Sequence, residues 1–202
     1  MNTFHKVPAS KSSLCRRKPV YGVGVNDAWY KTTVMVDGKQ LLYKPYQAWF
    51  NMLKRCYSWE FQNINRTYIG CSVAAEWRSF NNFETWYREN YIEGYDLDKD
   101  IKVKNNKVYG PNNCLFVPPL INKLLTHKQS DKGEYPTGVS FHKQRGKYRS
   151  VVSVDGGSIS LGLFKTPELA RAAYVIAKNE EIMRKCGQYP ELKEYLLAHL
   201  EN

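Results

Sequence analysis

The run Asp155-Gly156-Gly157, set between two stretches of alternating residues, constrains the fold of this chain more than any other feature. These residues tolerate positive φ, so the chain reverses tightly and the flanking stretches pair as neighbouring strands. Upstream, Lys147 to Asp155 places Tyr148, Ser150, Val152 and Val154 on one face and Lys147, Arg149, Val151 and Ser153 on the other. Ser158 to Phe164 supplies the partner strand, and Gly138 to His142 a shorter one before them. Thr166-Pro167-Glu168 then starts a helix, with a hydroxyl at the N-cap, proline at the first helical position and a carboxylate near the positive end of the dipole. Leu169, Ala172, Ala173 and Ile176 follow at helical spacing, and the small Ala170, Ala172 and Ala173 would let the helix lie close on the sheet. The expectation is a three-stranded antiparallel sheet packed on one helix. Its second face, with Lys147, Arg149 and the loop cations Lys143 and Arg145, is left for a partner.

This segment resembles the plant ethylene-response-factor (Apetala-two) type of DNA-binding domain, through "GVSFHKQRGKYRS", "LGLF" and "TPELARAAY" in the matching order. The resemblance implies a sheet laid in the major groove of double-stranded DNA. It assigns DNA contacts to Ser140, His142, Arg149, Val151, Ser153, Ser158 and Ser160 and to the loop residues Lys143, Arg145 and Lys147. Several of these positions are serine where the plant proteins have arginine or tryptophan. Serine bonds to bases and phosphates alike, so the plant target sequence does not carry over.

Composition agrees with a polyanionic partner. The 30 Lys and Arg outweigh 19 Asp and Glu, for a formal charge of +11, which favours salt-sensitive phosphate contacts. No apolar run approaches a membrane span, and the polar, basic first twenty residues carry no secretory leader. No membrane partner is therefore expected, and the location is a cytoplasm, the host cell's if the chain is phage-encoded. The five cysteines are scattered without a C-x-x-C pair, so neither a structural zinc site nor a disulfide scaffold is expected.

Towards the amino terminus, Tyr43 to Tyr57 has an early proline and carries Tyr46, Trp49, Leu53 and Cys56 at helical spacing. A second helix is expected from Ala74 to Glu89, where Trp77, Phe80, Phe83, Trp86 and Tyr87 form an aromatic stripe. Burying such rings is worth about 2 kcal/mol or more each, which assigns them to the core. Residues 95 to 128 then read as a strand through Leu97 to Val103, a turn at Lys104-Asn105-Asn106, extended chain through Cys114 to Val117, and a helix from about Pro119. Such a ββα unit can bring an acidic strand residue to an amide on the helix, oxygen ligands of the kind a hard divalent cation takes.

This unit resembles the His-Asn-His (HNH) endonucleases of the phage and intron-encoded homing type, with "PNNCLFV" as the best-matching signature. By residue, the resemblance puts Asp98 at the first metal position, Lys99 at the general-base position, Asn113 at the central asparagine and Asn122 at the helical metal position. It implies Mg²⁺ or another divalent cation and phosphodiester cleavage. Lys99 departs from the family, which has histidine there. An unperturbed lysine, with a pKa of about 10.4, stays charged at neutral pH. Three roles remain open: a lysine depressed enough to act as base, an electrostatic group while metal-bound water, Asp100 or His127 takes the proton, or a relic on a binding scaffold.

The expected organisation is α+β: a flexible basic arm (1–20), a helical plus ββα-metal, HNH-like domain (21–125), a linker (126–134), the sheet-plus-helix DNA-binding domain (135–186) and a terminal helix (187–202) with Leu192, Tyr195, Leu196 and Leu200 on one face. The function expected is a DNA-binding homing endonuclease. The alternative is a catalytically inactive DNA-binding or regulatory protein on a decayed nuclease scaffold. An RNA-binding role fits the charge but not the major-groove sheet.

Overall fold

The computed structural model describes residues 4–125 and 134–201. The chain is mixed α+β and divides into two compact units, one up to Phe116 and the other from Val117 onwards. The expected linker, apart from Glu134, and His127 lie outside the described residues.

In the first unit, α1 (Lys11–Cys15) precedes a hairpin of β1 (Thr33–Val36) and β2 (Lys39–Leu42). The hairpin turns through Asp37 and Gly38, both at positive φ. Next come α2 (Lys44–Tyr57), α3 (Trp59–Ile64), β3 (Ser72–Val73) and α4 (Phe80–Asn90). Three short strands follow: β4 (Asp96–Asp98), β5 (Val108–Tyr109) and β6 (Leu115–Val117), with β5 parallel to β3 and β6 hydrogen-bonded to β4. Trp49, Leu53 and Cys56 of α2 are buried with Trp77, Phe80, Phe83 and Tyr87, so the aromatic stripe is core as expected. Trp77 packs edge-on against Phe83, and the Trp49 indole donates to the Trp77 carbonyl at 2.7 Å.

Two expectations for this unit need correction. The helix expected over Ala74 to Glu89 is a 3-10 turn (Ala75–Arg78) followed by α4, broken at Ser79 in extended conformation. Tertiary bonds win there over helix continuity. The Ser79 hydroxyl donates to Asp27, the Asn81 amide donates to the same carboxylate at 2.8 Å, and the Phe80 amide donates to the Val25 carbonyl. Ser79 then caps α4 by accepting from the Asn82 amide. The strand expected over Leu97 to Val103 ends at Asp98, because that side chain takes up the amides that a ladder would use.

Residues expected to form a flexible arm are instead built into the unit. Pro8 bridges Tyr30, and the Arg17 guanidinium donates to the carbonyls of Asn26, Ala28 and Tyr30. Lys6 reaches Glu84 of α4, a buried carboxylate that also accepts from the hydroxyls of Tyr30 at 2.5 Å and Tyr43 at 2.7 Å.

The second unit opens with α5 (Pro119–Leu125), the helix expected to close the nuclease-like domain. It then forms the sheet β7 (Val139–His142), β8 (Lys147–Val154) and β9 (Gly157–Phe164), antiparallel in that spatial order. The turn between β8 and β9 has Asp155 and Gly156 at φ 48° and 82°, as its sequence demanded. A long helix, α6 (Pro167–Gln188), starts on the Thr166 cap, and α7 (Lys193–Leu197) follows a short 3-10 turn. Leu192 and Leu196 are buried, as the terminal spacing implied.

The face by which α6 packs is not the expected one. Leu169 and Ile176 are 53% and 61% exposed, whereas Ala170, Tyr174, Lys178, Glu181, Ile182, Lys185 and Cys186 are buried. The helix carries two stripes at helical spacing, and three of the seven buried residues on the one that packs are charged. They are tolerated because each finds a partner. Lys178 donates to the Leu124 carbonyl at the end of α5, Lys185 to Asp155 at 2.6 Å, and Glu181 accepts from Arg184 at 2.7 Å.

Candidate nucleic-acid interface

Strand pairing decides which side chains share the outer face of the sheet. Ser140 lies opposite Arg149, His142 opposite Lys147, Val151 opposite Ser160 and Ser153 opposite Ser158. Directly opposed residues point to the same face, so all of the assigned strand residues stand together on one surface. A register shift between Ser150 and Val151 lets β9 keep Ser158 and Ser160 on this side while Leu163 joins Arg149 beyond it. Alternation holds along β8: Lys147, Arg149 and Ser153 are exposed, and Ser150 and Val152 are buried beneath. Ser140, Ser158, Ser160 and the loop residues Lys143 and Arg145 are exposed too, and Lys143–Arg145 form a single 3-10 turn closed by Gly146.

The electrostatics of this face are one-sided. Between Gly138 and Phe164 the only acid is Asp155, and its carboxylate is held by Arg184 at 2.7 Å and Lys185 at 2.6 Å. Those two cations hold its carboxyl below the usual range. Lys143, Arg145, Lys147 and Arg149, by contrast, enter no ion pair among the described residues. The cations of the surface are therefore available, and Asp155 is neutralised from the helix side. His142 is half-buried, with a buried Nδ1 that has no hydrogen-bond partner among the described residues. The cross-strand serines add short donors and acceptors without charge.

The nuclease-like residues have a different character. Asp98 Oδ1 accepts from the amides of Asp100 and Ile101, each at 2.8 Å, which fixes the carboxylate as the pivot of a turn. Burial pushes its carboxyl above the usual range against the pull of those two bonds. Lys99 is buried, and its ammonium donates to both oxygens of Asp100 at 2.7 Å and to the Asn106 carbonyl at 2.8 Å. The Asn106 amide returns a bond to the Lys99 carbonyl, so the two residues lace the loop between β4 and β5 together. A lysine donating to three acceptors offers no lone pair to a water proton. Of the three roles open to it, the base is the one this geometry disfavours.

Asn113 is close to Val108, its amide nitrogen 3.4 Å from the Val108 carbonyl, within the loop that follows β5. Asn122 stands on α5, where its amide donates to the Pro118 carbonyl, and it belongs to the second unit. A divalent cation expects several oxygen ligands, carboxylates first. In the first unit both Asp100 oxygens are taken by an ammonium and one Asp98 oxygen by two amides. Among the described residues no three His, Cys, Asp or Glu come together as a metal site. The residues around Asp98 do not by themselves fit the implied cation.

Cys56, Cys71, Cys114 and Cys186 are buried and free, and burial pushes Cys56 and Cys114 up to about 12. No described helix is long and apolar enough to cross a membrane. Sequence reading missed the Asp155 clamp. An acid in a hairpin turn followed, about eight helical turns' worth of chain later, by Arg184 and Lys185 gives no local signal. Compared with protein-family models, curated proteins and solved structures, the chain matches none of them.

Proposed function

We propose that the protein binds double-stranded DNA through the outer face of the β7–β8–β9 sheet. The observation that carries this reading is the gathering of Arg149, Lys147, Ser140, Ser153, Ser158 and Ser160 on one exposed face, with the one acid in the sheet's own sequence, Asp155, neutralised by Arg184 and Lys185. The major groove admits a two-stranded β-ribbon, and the resemblance lays a three-stranded sheet with a helix on its far side into it. The lysines and arginines contact phosphates, while the serines stand where base edges would lie. Arg149→Ala in the full chain is expected to weaken duplex binding and make the plot of log affinity against log salt shallower by about 1. Titration of a labelled duplex across a salt series checks this. An unchanged affinity and slope would remove the sheet face from the interface.

A second reading, phosphodiester cleavage of the HNH homing type, is favoured by one observation. The strand ending at Asp98 pairs with the strand after the "PNNC" loop, and a helix carrying Asn122 follows. That is the order the resemblance implies. Lys99 then serves as a structural and electrostatic group. Plasmid incubated with the protein and Mg²⁺ is expected to be nicked or cut, with loss of the effect in EDTA and in Asp98→Ala. Intact plasmid in every lane, alongside normal duplex binding, leaves the non-enzymatic DNA-binding protein as the function.

A further inference from the structure

We infer that the amino-terminal segment of the first unit is a second, prefolded contact for the DNA backbone, formed by Lys11, Arg16 and Lys18. No Asp or Glu precedes Asp27 in the sequence, whereas Lys6, Lys11, Arg16, Arg17 and Lys18 all do. The fold sorts these five cations into two groups. Lys6 is spent on Glu84 at 2.5 Å, and Arg17 on the carbonyls of Asn26 at 2.9 Å, Tyr30 at 2.8 Å and Ala28. Backbone bonds from Ala9 to Trp29 and from Lys31 to Val7 tie the same segment down, and Ser10 caps α1 by accepting from the Ser13 amide. Lys11, Arg16 and Lys18 remain exposed and enter no ion pair among the described residues, beside the exposed hydroxyls of Ser12 and Ser13.

Two internal cations thus act as fasteners for three outward ones. A cationic segment already held in one conformation loses less chain entropy on binding than a disordered tail does. Its chemistry is that of a phosphate contact: charges and hydroxyls, with Leu14 as the one large apolar side chain on α1 and no aromatic ring on that helix. This inference rests on the DNA-binding reading above.

The test uses the full chain, a short labelled duplex of mixed sequence and a salt series. The triple variant Lys11→Gln/Arg16→Gln/Lys18→Gln is expected to keep the wild-type melting temperature, since these side chains are exposed. It should lower duplex affinity about tenfold or more and make the salt slope shallower by about 2 to 3. The single variant Arg16→Gln should move the slope by about 1 in the same direction. Unchanged binding by both variants, in a series where Arg149→Ala weakens it, overturns the inference and leaves the proposed function standing. Absence of duplex binding by the wild-type chain overturns both. A loss confined to phosphatidylserine vesicles, with duplex binding intact, also overturns it by identifying a membrane surface as the partner.

Discussion

Glu84→Ala is expected to destabilise the first unit by about 3–5 kcal/mol, a cost typical of removing one partner from a buried, hydrogen-bonded charge pair. Its carboxylate gathers the Lys6 ammonium and two tyrosine hydroxyls, and it joins the amino-terminal segment, the chain before β1 and the start of α2 to α4. Removing it leaves Tyr30, 1% exposed, with a hydroxyl that has lost its acceptor. Glu84→Gln retains an acceptor and should cost less. Burial pushes the Glu84 carboxyl up, but the bonds from Lys6, Tyr30 and Tyr43 outweigh it and hold the group below its ordinary range. A depressed carboxyl contributes stability that is present above its unfolded value, about 4.3, and lost as pH falls below that through the folded one. Tyr30 and Tyr43 are shifted the other way, by burial first and then by Glu84. Their contribution is intact below the unfolded tyrosine value of about 10 and is lost as pH rises above it. Urea unfolding of wild type and Glu84→Ala across pH checks both limbs. A variant whose stability is unchanged at neutral pH would contradict the network's role.

Gly138→Ala should be nearly as costly, and in the second unit. Gly138 precedes β7 at φ 82°, and an added Cβ would lie 2.5 and 2.6 Å from Cε2 and Cγ of the buried Tyr174 ring. A non-glycine residue in left-handed conformation costs about 1–2 kcal/mol, and overpacking adds about 1–3 kcal/mol. The ring stands on α6 behind the sheet, so the substitution pushes helix and sheet apart. The expected result is a lower melting temperature for the second unit together with weaker duplex binding. A melting curve that coincides with wild type would show that Tyr174 moves aside freely. The Gly138 carbonyl also accepts from the Val151 amide, which places any displacement next to the outer face.

The sequence showed most where local chemistry was decisive. Asp155-Gly156, Thr166-Pro167 and the alternation in Lys147 to Val154 each specify one local geometry, and the structure has them where they were expected. It misled where tertiary partners compete with local pattern. Ser79 breaks a continuous helical pattern because Asp27, far away in sequence, takes its hydroxyl. Leu169 and Ile176 were expected on the packing face but are exposed, whereas Lys178 and Lys185 are buried because Leu124 and Asp155 meet them. The hairpin at Asp37-Gly38 carried a turn signal that went unread, since its strands are only four residues each. The candidate site follows the same division. The outward side of β8, with Lys147, Arg149 and Ser153, followed from period-2 alternation, while Ser140, His142, Ser158 and Ser160 were assigned through the resemblance. The setting of Lys99 followed from neither, because a lysine flanked by two aspartates in sequence gives no hint that one becomes its partner and the other the pivot of a turn.

The most direct test of DNA binding by the sheet is an ¹H–¹⁵N NMR titration of the full chain with duplex DNA. The account predicts that the largest amide shifts map to Ser140, His142, Lys147, Arg149, Ser153, Ser158 and Ser160 and to the Lys143–Arg145 turn, with small shifts along the exposed side of α6 at Leu169 and Ile176. Binding that leaves the strand amides unmoved and shifts the α6 face instead would contradict it.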